Sequence, residues 1–206
     1  MTLFLFFFFG SIVGSYFETT NQRIARDDNL ILDTNKRFLR SQCDECKREL
    51  SWLDLFPIFS FLLLKGKCRY CKKPIKIDHL ISEFLFGLIF CLLILSDNSL
   101  NLILTIPFFS FLFAIALFDY KYFLIPKIYL LFFILISFFS LYFEASLTNI
   151  VFASVMTLTV FIAKQIMDRI MKKETLGNGD LFLIFGLGLF HPCLLYTSDA
   201  ADEQWS

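Results

Sequence analysis

The sequence predicts an all-α polytopic membrane bundle of about six spans, carrying a cytoplasmic loop domain of the zinc-knuckle kind. Three observations predict this class. Of 206 residues, 57% are hydrophobic, 29 are Phe and only 18% are charged, which leaves too little charge to cover a water-soluble globule. The apolar residues gather into six stretches, at 1–17, 80–95, 100–118, 128–143, 146–163 and 181–195. Between the first and second stretch, four cysteines stand in two matched pairs.

The first stretch has no basic segment ahead of its apolar run and no clear small-residue cleavage site, so it reads as a retained helix rather than a signal. Several stretches fall short of the ~20 residues that comfortably cross a bilayer core; burial in a bundle or slight thinning of the membrane accommodates them. Residues 53–64 are also apolar, but Asp54 and Pro57 interrupt them. Their place between the cysteine pairs favours a folded loop over a span. The expected organisation is a first helix at 1–17, a tetracysteine domain at 18–79, a bundle at 80–193 and a tail at 194–206. That tail, LLYTSDAADEQWS from Leu194, turns abruptly polar and acidic and reads as non-native, like adapter read-through.

Charge placement sets the orientation. All 19 Lys and Arg lie in three places: between Arg23 and Lys76, at Lys121 and Lys127, and between Lys164 and Lys173. The connections near Asp97 and Glu144 carry none. Under the positive-inside rule the basic places are cytoplasmic and the N-terminus lies outside. The balanced net charge points to no nucleic-acid partner; lipid is the expected surroundings.

Cys43-x2-Cys46 and Cys68-x2-Cys71 can each bite a metal through two thiolates, and together they suit the closed tetrahedral sulfur site of structural Zn2+. Lys47, Arg48, Lys67, Arg69 and Lys72 would offset the negative tetrathiolate. Redox thiols and disulfides are the competing readings; a cytoplasmic site disfavours stable disulfides. Cys91 and Cys193 lie in apolar stretches and read as packing residues.

Asp119 ends the third stretch and Asp180 opens the sixth, in Gly177-Asn178-Gly179-Asp180. A carboxylate at membrane depth is a functional candidate by default. An even number of crossings separates the two, so both are expected at the cytoplasmic face, able to meet there. A close carboxylate pair holds one shared proton near neutral pH, the device of aspartyl proteases. Gly177 and Gly179 would let a backbone approach closely, and Pro126 would break the helix after Asp119. As plain structure, Asp119 is an interfacial cap beside Lys121 and Asp180 an N-cap.

These residues resemble the type IV prepilin leader peptidases, of the GxGD aspartyl protease class. The likeness runs from Gly10 to Leu189. It includes Gly14-Ser15-Tyr16-Phe17, Arg40-Ser41-Gln42-Cys43-x2-Cys46, Leu50-Ser51-Trp52, Pro57, Gly66-Lys67-Cys68-Arg69-x-Cys71 and Glu83-x3-Gly87. Asp119 with Ile125-Pro126, and Gly177-x-Gly179-Asp180, complete it in order. The resemblance implies removal of leader peptides from prepilins or pseudopilins at the cytoplasmic face, with Asp119 and Asp180 catalytic. It implies zinc at Cys43, Cys46, Cys68 and Cys71. In many members it also implies N-methylation of the new terminus from S-adenosylmethionine, for which Glu83 is a candidate and an interfacial acid the plain alternative. Lys127, Phe182 and His79-Leu80 depart from the family's pattern without removing a carboxylate or a paired cysteine. His79 reads as a surface or loop histidine. The rival readings are a membrane-anchored zinc-knuckle adaptor without protease activity and a proton-relaying transporter, the latter disfavoured because both acids sit at span ends.

Overall fold

A computed structural model describes residues 1–26, 41–43, 45–51, 54, 56–96, 102–143, 147–173 and 176–190. Arg40, Trp52, the connections at Asp97 and Glu144, Cys193 and the tail 194–206 lie outside the described residues. Among the described residues seven helices run in order: α1 Thr2–Ala25, α2 Phe59–Leu63, α3 Ile77–Ser96, α4 Leu102–Tyr122, α5 Lys127–Phe143, α6 Leu147–Met171 and α7 Asn178–Phe190. Among the described residues the only β-pairing is two isolated bridges, Gln42 with Glu49 and Lys67 with Pro74. By length and composition α1, α3, α4 and α6 can each cross a membrane, whereas α5 and α7 are shorter apolar helices. The chain divides into two compact units, residues 1–106 and 107–206.

In the first unit α1 and α3 pack antiparallel, and glycine decides how closely. A Cβ on Gly14 would stand 2.7 Å from the Ser82 carbonyl oxygen, and one on Gly10 2.6 Å from that of Phe86. Gly87 returns the fit, with Phe7 against its bare Cα. Small residues at such a crossing allow the backbone approach that drives helix association in lipid, where apolar side chains gain little from leaving their solvent. Phe17 stacks on Phe86 at 5.5 Å beside this seam. The first helix runs on to Ala25 instead of ending near residue 17, because Glu18 and Asn21, both buried, remain on its packed face.

In the second unit the short α7 is held by α5 and α6. Gly186 meets the Phe133 ring of α5 and Gly188 meets Ala153 of α6. Phe108 of α4 stacks on Phe190 with ring centroids 3.6 Å apart and lies 4.8 Å from Phe133. The outward faces are apolar: Val151, Val155, Leu158 and Ile170 of α6 are all more than half exposed. So large an uncovered apolar face fits lipid and not water. Ser11, Ser137 and Thr157 donate to the carbonyls of Phe7, Phe133 and Ala153 one turn earlier, which settles their hydroxyls without water.

Candidate active site and metal centre

The two C-x2-C segments fold into the same knuckle twice, 25 residues apart. In the first, the Lys47 N–H donates to the Cys43 carbonyl (2.9 Å) and the Cys43 N–H to that of Arg48 (3.0 Å). In the second, Lys72 donates to Cys68 (3.0 Å) and Cys68 to Lys73 (2.9 Å). The next rung repeats as well, Leu50 to Ser41 and Ile75 to Gly66. Lys47 and Lys72 both adopt φ near +57°, the left-handed turn that brings each pair of thiols to one side. Arg48 lies 4.7 Å over the Tyr70 ring, and Lys73 pairs with Glu45, so each knuckle grips the other. Arg69 reaches the buried Asp54 at 2.8 Å, and Asp54 in turn accepts from the Ser51 hydroxyl at 2.7 Å.

These folds bring the Sγ atoms of Cys43, Cys46, Cys68 and Cys71 within 4.8 Å of one another; Cys43 and Cys71 stand 3.8 Å apart. A tetrahedral zinc with bonds near 2.3 Å requires sulfur–sulfur edges of about 3.8 Å, so the donor set fits the ion. None of the four is in a disulfide. Burial pushes the Cys68 thiol up, but the N–H groups of Cys71 and Tyr70 and the side chains of Cys43 and Cys71 outweigh it and bring the thiol down to about 7. At Cys71 the N–H of Lys73 favours the thiolate; burial and the thiols of Cys68, Cys46 and Cys43 overcome it and push the group up to about 11. Four sulfurs this close cannot all ionise without a cation among them.

Beside the knuckles, the second half of α1 and the start of α3 enclose a cavity of about 360 Å³. Gln22, His79, Asp54, Arg69 and Glu83 are among its lining residues. His79 is not in a loop: it stands in the first turn of α3, half-buried, with its Nε2 3.1 Å from the Gln22 side chain. Glu83 is buried and accepts the Ile58 N–H at 2.8 Å and a hydrogen bond from Ser15. Sequence reasoning marked Glu83 only as an interfacial or cofactor acid. Its partner lies 25 residues away in a loop, which no local pattern reveals. The close seam at Gly10 and Gly14 was also missed, although the G-x3-G spacing in an apolar helix signals it.

In the second unit, Asp119 lies exposed on the last turn of α4 and Asp180 half-buried in the first turn of α7. Helix α4 stops at Tyr122; Phe123 turns left-handed (φ 54°) and its N–H donates to the Asp119 carbonyl at 2.8 Å. Pro126 follows, and α5 begins at Lys127, so the break expected there is present. Asp180 accepts the Gly177 N–H at 2.9 Å while its own N–H donates to the Gly177 carbonyl at 3.2 Å, a reciprocal cap. Lys164 of α6 steadies the same turn through the Asn178 side chain at 2.8 Å. A Cβ on Gly179 would meet Ile125 at 3.3 Å. The turn after Asp119 and the turn before Asp180 therefore lie within a methyl group's reach of each other, at a glycine.

Residues 8–96 match the model of the bacterial peptidase A24 N-terminal domain, and residues 106–197 that of the type IV leader peptidase family. A prepilin leader peptidase/N-methyltransferase of Vibrio cholerae is 28% identical over 218 residues, covering 98% of this chain and 85% of its own length. A Bacillus subtilis protein of the same name is 35% identical over 131 residues, 63% of this chain and 50% of its own. One from Myxococcus xanthus is 27% identical over 188 residues, 89% of this chain and 54% of its own. The chain thus spans about half the length of the latter two. No solved structure shows significant similarity.

Proposed function

The chain belongs to the type IV leader peptidase family, and from that premise we propose that Asp119 and Asp180 form its catalytic carboxylate pair, cleaving the leader from prepilins or pseudopilins at the cytoplasmic face of the bacterial inner membrane. The observation that supports the reading is the closeness of Ile125 to Gly179, where a Cβ would stand 3.3 Å away, which brings the two acid-bearing turns near each other within one unit. In an aspartyl mechanism two carboxylates divide the work, one acting ionised and the other protonated. The ionised partner takes a proton from water as the water attacks the scissile carbonyl. The protonated partner donates to the carbonyl oxygen, and the pair then returns a proton to the leaving amine. Tyr120, Phe123 and Leu124, all exposed around Asp119, offer apolar surface to an apolar substrate segment. The orientation follows from the basic loops, with the N-terminus outside.

The test is co-expression of Asp119→Asn with a prepilin and an immunoblot of its leader. Each amide should leave the precursor uncut, because an amide neither shares nor accepts the proton. Normal processing by both Asp119→Asn and Asp180→Asn would refute the pair and favour the zinc-knuckle adaptor.

Zinc at Cys43, Cys46, Cys68 and Cys71 has a structural part in this reading, closing the two knuckles on each other. The relatives' names include N-methyltransferase, and the cavity of the first unit suits the donor that such chemistry uses. Its volume lies in the range of small-molecule sites, and Glu83, among its lining residues, provides an acid beside it. S-adenosylmethionine would supply an electrophilic methyl group; Glu83, Gln22 and His79, which line the cavity, would hold it. Equilibrium binding of S-adenosylmethionine to the full chain should weaken at least tenfold in His79→Ala with zinc content unchanged, about 1.4 kcal/mol. Unaltered binding would remove the cavity from the reading and leave the peptidase untouched.

A further inference from the structure

Between the two knuckles the chain reads Phe56-Pro57-Ile58-Phe59-Ser60-Phe61-Leu62-Leu63-Leu64. Its large side chains are not folded away. Leu63 is 82% exposed and Leu62 63%, with Phe56 and Phe59 near half. An uncovered apolar cluster of this kind marks a surface that meets something other than water.

The packing partners show how deep the segment goes. The knuckle end of the α1–α3 pair is marked by Gln22 against His79, with the charged groups Arg23, Lys76 and Asp78 around that level. The Phe56 ring, however, packs on Phe8 of α1 with centroids 5.9 Å apart. From Gln22 to Phe8 is about 21 Å of helix at ~1.5 Å per residue. Phe8 neighbours Phe7 and Phe9, which contact Phe84 and Phe90 of α3 in the fully apolar part of both helices. Residues 56–59 thus descend alongside helices that themselves cross the membrane.

Non-helical backbone survives at that depth only if its polar groups are satisfied by protein. Most of its N–H groups are. Pro57 has none to satisfy. The N–H groups of Phe59, Ser60 and Leu62 bond to the carbonyls of Pro57, Phe56 and Ile58, and those of Leu64, Lys65, Gly66 and Lys67 to Ser60, Leu62, Phe61 and Leu64. The Ile58 N–H, which no carbonyl takes, is met by the buried Glu83 carboxylate. Ile58 needs that hold. Its φ of +59° is a strained setting for a β-branched residue. Beyond α2 the chain turns back through Lys65 and Gly66, both at positive φ. Lys65 and Lys67 are exposed there, where ammonium groups can rise to the headgroups while their stems stay with the apolar cluster.

We propose that residues 56–64 are a re-entrant segment, which immerses Phe56, Phe59, Leu62 and Leu63 among the lipid acyl chains on the knuckle side of the membrane and anchors both knuckles there. The occupant of the exposed face is lipid, because that face continues the lipid-facing surface of α1 at Phe4, Leu5 and Phe9. This inference rests on the helix packing alone, and stands or falls apart from the assignment of Asp119 and Asp180.

Tryptophan quenching in vesicles tests it. The full chain carrying Leu63→Trp is reconstituted in phosphatidylcholine–phosphatidylglycerol vesicles whose acyl chains are brominated, and its emission is read as the difference from the unsubstituted protein. Tyr70→Trp, on the second knuckle, is the comparison. Leu63→Trp emission should fall roughly twofold or more in brominated lipid, whose bromines lie within the ~30 Å apolar core, and should resist aqueous iodide; Tyr70→Trp should show the reverse. Iodide quenching of Leu63→Trp without bromine quenching would overturn the proposal. Amide hydrogen exchange of the unsubstituted protein in the same vesicles gives a second reading. Protection of residues 56–64 comparable to α3 is expected, and exchange as fast as that of an exposed loop would equally overturn it.

Discussion

Replacing Gly14 with Ala adds one methyl group to the chain and strikes the seam between α1 and α3. The new Cβ would lie 2.7 Å from the Ser82 carbonyl oxygen, 3.0 Å from Phe86 Cβ and 3.1 Å from Glu83 Cα, against ordinary contact from 3.4 Å. Two of those three atoms are backbone, so no rotamer change relieves the overlap; one helix must withdraw by about 0.7 Å at that level. Overpacking of this kind costs about 1–3 kcal/mol, or roughly 5- to 150-fold in the folding equilibrium. The withdrawal would also pull Glu83 from Ser15 and loosen the cavity beside the knuckles. The assay is thermal unfolding of the detergent-solubilised chain, with Ile12→Ala on the exposed face of α1 as the comparison. Gly14→Ala should melt several degrees below it, at about 2–4 °C per kcal/mol for a chain of this size. Equal melting temperatures would show that the two helices do not approach through Gly14, and the account of the first unit would fail.

Asp180 has both a cap and a proposed catalytic part, and two variants separate them. Asn, like Asp, can accept the Gly177 N–H from the third position of α7, so Asp180→Asn should abolish leader removal with melting nearly unchanged, whereas Asp180→Ala should also lose that bond at about 1 kcal/mol; restored processing in Asp180→Asn would leave only the cap. Cys46→Ser should reduce bound zinc and destabilise the knuckles, since a structural metal contributes folding free energy; full zinc retention by elemental analysis would refute the tetrathiolate. Zinc added to the metal-free chain near pH 7.5 should release protons, measurable by calorimetry in buffers of different ionisation enthalpy. Cys68, brought down to about 7, is by then mostly thiolate, while Cys71, pushed up to about 11, still carries its proton and must shed it. Lowering the pH through 7 protonates Cys68 too, so affinity should fall. Glu83→Gln keeps an acceptor for the Ile58 N–H and should fold nearly as well as the parent, while Glu83→Ala orphans that donor at about 1–3 kcal/mol; equal stability of the two would deny the clamp.

Much of this protein is written locally in its chain. Apolar run length and the scarcity of charge specify helices in lipid, because a bilayer tests each segment by composition. The two C-x2-C pairs specify a four-sulfur cluster, because each knuckle forms within one turn and the two turns repeat the same hydrogen bonds. Pro126 announces the end of α4 in the same local way. What the linear order could not convey are meetings between distant segments. Residues 56–64 resemble an ordinary apolar loop until Phe56 is seen on Phe8 and Ile58 on Glu83, and a carboxylate's partner across 25 residues leaves no periodic trace. The length of α1 was likewise decided in three dimensions, where buried Glu18 and Asn21 prolong a helix that hydropathy alone would end. Composition, then, selected the surroundings of the helices, while close packing at Gly10 and Gly14 decided which backbones approach, because only the folded chain reveals where the absence of a side chain is used.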